Sequence, residues 1–135
     1  MPSPVLIPAA IDPVSVFASM PVVYNGVVYA GNYDGMLYAL DADSGSQIAA
    51  LDLGSPVPSS PVLVNGMIVA ASEDGQIYAI DGETQAMSSL TDLEAKLLAP
   101  LTTDGSLVYA HTQENETIYA LNPETRVIVW QRQVQ

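Results

Sequence analysis

Apolar and polar residues alternate with a period of two along most of this chain, and turn residues interrupt the alternation at short intervals. From Tyr24 the chain runs YNGVVYAGNYDGMLYALDADSG, and from Val64 a near copy follows, VNGMIVAASEDGQIYAIDGETQ. Runs such as VVYAG (27–31) and MLYALD (36–41) are rich in β-branched and aromatic residues and end at Asn-Gly or Asp-Gly. They read as short strands joined by tight turns. Asn-Gly and Asp-Gly tolerate the positive φ that a two-residue type I′ hairpin demands.

The pattern occurs three times. A proline opens each unit (Pro21, Pro61, Pro100), and a turn glycine stands five residues later (Gly26, Gly66, Gly105). A second turn follows at Asp34-Gly35 and Asp74-Gly75, replaced in the third unit by QENE (113–116). Next comes a Tyr-Ala pair (Tyr38-Ala39, Tyr78-Ala79, Tyr119-Ala120), then a polar closing turn, DADSG, DGETQ or NPETR. The period is about 40 residues, a length typical of propeller blades. Each unit therefore predicts four antiparallel strands in sequence, as in PVVY, VVYAG, MLYALD and SQIAALD.

The predicted fold class is all-β, with blades over 21–54, 61–93 and 100–133. A leading strand is predicted over 3–10, where PVLIPAA takes the place of the last strand of a preceding blade. One segment reads two ways. In AMSSLTDLEAKLLAP (86–100), Met87, Leu90, Leu93 and Leu97 have helix-like spacing. In register, however, it aligns with SQIAALDLGSPVPSSP, whose prolines forbid a helix, and repeats keep their architecture. Strand then loop is the preferred reading, with a short helical turn near Leu93–Leu97 as the alternative.

A meander cannot bury both faces alone, and stacking such units around an axis makes a β-propeller. The positions predicted inside are Val22, Val28, Leu37, Ala39, Val62, Ile68, Ile77, Ala79, Val108, Ile118, Ala120 and Trp130. Three blades form only a partial ring, which leaves apolar faces at both ends. This predicts a segment of a larger ring, or a subunit that completes one by self-association, most simply as two copies.

The repeated pattern resembles the PQQ-type propeller repeat of quinoprotein alcohol dehydrogenases and of the BamB lipoproteins. The resemblance covers the chain in three units. It implies a tryptophan four residues past each closing turn, docked on the next blade; only Trp130 keeps it, with Ala49 and Ser89 in the other units. It also implies, for the enzymes, a quinone at the ring centre between a tryptophan and a vicinal disulfide, with calcium beside it. This chain has no cysteine and one tryptophan, so neither cofactor nor metal is expected. The resemblance implies an extracytoplasmic location, although the first 20 residues lack a basic n-region and carry four prolines, unlike a signal peptide.

Three basic residues against fifteen acidic ones give a net charge of −12. Nucleic-acid binding needs Lys and Arg on phosphates and is excluded. No apolar run is long enough to cross a bilayer, so membrane insertion is not expected. The paired acids Asp41/Asp43 and Asp81/Glu83 could suggest calcium, but a Ca²⁺ site needs six to eight oxygens. Capping of their own turn explains them better. His111 is the only histidine; without a nucleophile setting it reads as an exposed loop residue. Asn115, in an Asn-x-Thr triplet, carries little weight alone. No catalytic, cofactor-binding or metal residue is assigned. The sequence predicts a non-enzymatic scaffold that binds protein partners or itself, with a fragment of a quinoprotein dehydrogenase as the alternative.

Overall fold

The structure, a computed structural model, describes residues 20–58, 60–97, 100–113 and 116–134. The predicted leading strand over 3–10 lies outside the described residues, as does Asn115. Among the described residues there is no helix, and twelve strands form three separate four-stranded sheets. The first blade holds β1 (Val22–Tyr24), β2 (Val27–Gly31), β3 (Met36–Asp41) and β4 (Gln47–Asp52). The second holds β5 (Val62–Val64), β6 (Met67–Ala71), β7 (Gln76–Asp81) and β8 (Met87–Asp92). The third holds β9 (Thr102–Thr103), β10 (Val108–His111), β11 (Thr117–Asn122) and β12 (Val127–Gln133). All neighbouring strands are antiparallel and consecutive in sequence. These are blades of a β-propeller whose ring is not closed among the described residues.

The Asn-Gly turns are type I′: φ is 52° and 77° at Asn25 and Gly26, and 50° and 78° at Asn65 and Gly66. The Asp-Gly turns differ from the expectation. Gly35 N–H donates to Asn32 O (3.1 Å) and Asn32 N–H to Met36 O (3.0 Å), so the loop spans four residues. Only Gly35, at φ 91°, is left-handed there. Ser72 to Gly75 repeats this geometry.

Two apolar seams hold the blades together. Val27, Tyr29, Leu37 and Ala39 of the first blade meet Ile68, Ala70 and Ile80 of the second. Val69, Ala71 and Ile77 of the second meet Val108, Ala110, Tyr119 and Leu121 of the third. The connectors after β4 and β8 each add two residues to a seam, Leu53 with Val57 and Leu93 with Leu97. Over its described residues the ambiguous segment is thus a strand, Met87–Asp92, followed by a non-helical connector. Its i, i+4 leucines are the counterparts of Leu53 and Val57.

Four predicted inward positions need correction. Val28 is half-buried because β2 turns Val27 and Tyr29, not Val28, into the first seam. Val22, Val62 and Ile118 are also only half-buried. Trp130 is corrected below.

Candidate interaction face

The closing turn of each blade is built the same way. Asp41 Oδ1 accepts the N–H groups of Asp43 (2.8 Å) and Ser44 (3.1 Å), and Asp81 Oδ1 those of Glu83 (2.8 Å) and Thr84 (3.2 Å). Asn122 does the same with Glu124 (3.0 Å) and Thr125 (3.3 Å). Those N–H bonds, Ser44's first, hold the Asp41 carboxyl below its ordinary range. Each turn ends on a left-handed residue: Gly45 (76°), Gln85 (62°) and Arg126 (63°).

Those last two positions tie blades together. Gln85 Nε2 donates to Tyr29 Oη of the preceding blade at 3.2 Å. Arg126 donates from Nη1 to Ser89 O (2.9 Å) and from Nη2 to Ser88 Oγ (2.6 Å). Tyr29 Oη in turn donates to Gly82 O (3.3 Å), and Asn65 Nδ2 donates to Glu124 Oε1 (2.9 Å). The sequence reading missed these ties. Their signal was position: Gln85 and Arg126 stand where the first blade has Gly45, so a long polar side chain replaces the residue best suited to the backbone.

A cleft of about 250 Å³ lies beside the second tie, lined by Met67, Ala79, Asp81, Met87, Ser88 and Arg126 among others. That is smaller than ordinary ligand pockets, which start near 300 Å³. Among the described residues no group of three or more His, Asp or Glu side chains converges on a point. Asp41 and Asp81 spend Oδ1 on the N–H groups of their own closing turns. Tyr78 has its hydroxyl pKa raised, by burial first and then by the carboxylates of Asp74, Asp52 and Asp92. That hydroxyl donates to Leu53 O (3.2 Å) across the first seam.

His111 corrects its expected place: it ends strand β10, paired with Ile118, although it is exposed as anticipated. Trp130 reverses its prediction. It is 45% exposed, because no blade lies against its face among the described residues. It pairs with Ala120, which pairs with Tyr109, and the Tyr109 and Trp130 rings stand 6.2 Å apart at 46°. Tyr109 Oη donates to Asp104 Oδ2 (3.0 Å); this bond raises the tyrosine's pKa. Asp104's carboxyl is lowered in turn, chiefly by the N–H groups of Leu107 and Ser106 and then by Tyr109. Exposed Val127 and Val129 adjoin the tryptophan on β12.

Three blades of this geometry define an arc of a β-propeller built from PQQ-like repeats. The chain belongs to the family described as outer membrane protein assembly factor BamB, whose pattern matches residues 10–88. Among solved structures it is similar to BamB from Moraxella catarrhalis, with 22% identity, a TM-score of 0.72 and 88% of this chain covered. The chain spans 37% of that BamB. It is also similar to the quinohemoprotein alcohol dehydrogenase ADHIIG of Pseudomonas putida HK5 (21% identity, TM-score 0.77, covering 90% of this chain and 21% of that one). The computationally designed Ika4 protein matches at 16% identity and a TM-score of 0.77, over 90% of this chain and 75% of its own. These likenesses are of fold. No curated protein sequence matches the chain.

Proposed function

We propose that the chain is a non-enzymatic propeller segment that serves as a scaffold for protein–protein assembly on the extracytoplasmic side of the cell. The observation that carries this reading is how its polar side chains are used. Asp41, Asp81 and Asn122 cap their own turns, while Gln85, Arg126 and Asn65 fasten one blade to the next. Trp130 and Val129 are exposed and form an apolar, aromatic patch on the third blade, of the kind that marks interaction sites. The family's description as an assembly factor agrees with it.

The likeness to a quinohemoprotein dehydrogenase favours a second reading, an arc of a quinone enzyme. An absorbance titration with pyrroloquinoline quinone and Ca²⁺ separates the two. The scaffold reading expects no saturable binding; stoichiometric uptake of the quinone overturns it in favour of the enzyme.

A further inference from the structure

Each blade has a forward face, the one that the first two blades turn toward the next blade in the chain. In the first blade that face carries the paired row Tyr29–Ala39–Ala49. Tyr29 fills the seam there. Its side chain is fully buried, and its hydroxyl donates to Gly82 O (3.3 Å) and accepts from Gln85 Nε2 (3.2 Å). The third blade carries Tyr109–Ala120–Trp130 in the same register. The middle blade carries Val69–Ala79–Ser88. Its central alanine is kept, but no aromatic ring stands on either side of it.

The cleft beside the second tie coincides with that loss. Two of its lining residues, Ala79 and Ser88, occupy the register that Ala120 and Trp130 hold in the third blade. Arg126 stands where Gln85 stands one blade earlier. Gln85 reaches a tyrosine hydroxyl across the first seam. Arg126 has Val69 at the corresponding place and instead bonds Ser89 O (2.9 Å) and Ser88 Oγ (2.6 Å). A guanidinium carries more N–H groups than those two bonds use.

The lining of the cleft suits a ring with a polar tip. Met67 and Met87 supply thioether sulfurs, which make favourable contacts with aromatic rings. The Arg126 guanidinium is a cation for the electron-rich face of a ring. Asp81 gives Oδ1 to its own turn, and a carboxylate has a second oxygen to accept an indole N–H or a phenol O–H. A space of about 250 Å³ is below the range of small-molecule pockets and holds one side chain.

We propose that this cleft receives a tryptophan or tyrosine side chain presented by a protein partner. The proposal rests on the scaffold reading and gives it a place, the seam of the second and third blades on the closing-turn side. The charges are complementary: the negative face of the ring meets Arg126, and its positive donor tip meets Asp81. Aromatic anchors seated in such pockets carry a large share of the energy of protein interfaces.

The test titrates the chain with the capped peptide Gly-Ser-Trp-Ser-Gly, with its leucine counterpart, and with free indole, while methionine methyl resonances are followed by NMR. The Met67 and Met87 resonances are expected to shift together and saturably with millimolar tryptophan peptide, and that of Met36 to stay in place. The leucine peptide is expected to bind roughly three- to tenfold more weakly, since it lacks the ring contacts. Ser88→Trp puts the missing ring into the cleft and is expected to abolish the shifts. Ala86→Phe, at an exposed lining residue, serves the same purpose should Ser88→Trp lose its circular-dichroism spectrum. Unmoved Met67 and Met87 resonances overturn the proposal, as do equal affinities for the two peptides or shifts that survive the filled cleft. Shifts with indole but not with the peptide overturn it too, because the cleft is then closed to a ring borne on a chain. Stoichiometric quinone uptake counts against the scaffold reading, whereas a chain that binds neither quinone nor peptide fails only the cleft.

Discussion

The ring of Tyr24 in the first blade lies directly over Gly82 in the second. A Cβ at Gly82 would sit 2.5 Å from Tyr24 Cδ2 and 2.7 Å from Gly66 O. The glycine there answers to close approach, since its φ is not left-handed. Gly82→Ala is expected to destabilise the chain by about 1–3 kcal/mol through overpacking. Tyr24→Ala in the same background should recover part of that loss but not all, because the Gly66 carbonyl remains. Urea melts of the parent chain and the two variants check this; an unchanged midpoint for Gly82→Ala refutes the contact.

Gly75 and Gly105 have nearly the same φ, 99° and 100°, but different surroundings. A Cβ at Gly75 would lie 2.5 Å from Ala95 O, whereas nothing lies within 4 Å of one at Gly105. Both alanine variants meet the left-handed cost of about 1–2 kcal/mol. Gly75→Ala adds overpacking of about 1–3 kcal/mol. The gap between their melting temperatures is the measurement, and equal losses contradict the packing.

Arg126 combines a left-handed backbone with two bonds to the second blade. Arg126→Ala loses the bonds and keeps the strain; Arg126→Gly loses the bonds and relieves it. The glycine variant should be the more stable by about 1 kcal/mol, as read from paired denaturation curves. The reverse order would mean that the turn is not left-handed at this residue.

Asp41 and Asn122 occupy the same turn position, one charged and one neutral. The folded-state pKa of Asp41 is lowered from 3.8. Its contribution to stability is therefore present above about pH 3.8 and is lost as pH falls through the depressed value. Asp41→Asn preserves the two N–H contacts, as Asn122 does, and should flatten the acid limb of the melting temperature between pH 2 and 5. An unaltered acid limb would remove Asp41 from the account.

Leu97 is fully buried in the second seam and Trp130 is not. Leu97→Ala is expected to cost about 2–5 kcal/mol. Trp130→Ala in the isolated chain should cost less than the ~3–5 kcal/mol of a buried aromatic. Denaturant unfolding at low protein concentration compares them.

Most of the strand pattern could be read directly, because Asn25-Gly26 and Asn65-Gly66 admit only a narrow set of turns. The connector at Leu93–Leu97 was legible from the prolines of its counterpart in the first unit rather than from its own spacing, which fits a helix equally well. Burial was legible only by halves. In the second blade both faces are covered, so Ile68, Val69, Ala70 and Ala71 are all inside and the period of two vanishes. In the first blade alternation survives, but nothing local tells whether Val27 or Val28 faces the neighbour. Trp130 was misjudged because a side chain's residue type cannot show whether a next blade is there to cover it. The ties from Gln85 and Arg126 depend on distances between blades, which no run of consecutive residues encodes.

Every strand in these sheets pairs with the strand just before or after it in the chain. Hairpins of that kind form in about 1–10 μs, while the ribosome adds about 5–20 residues per second. Pairing within a newly made blade is therefore complete long before the next repeat exists. The forward face of that blade then waits roughly 2–8 s for the next ~40 residues to be synthesised. During biosynthesis the vulnerable moment for this chain is that wait, when the newest sheet is fully hydrogen-bonded but half uncovered.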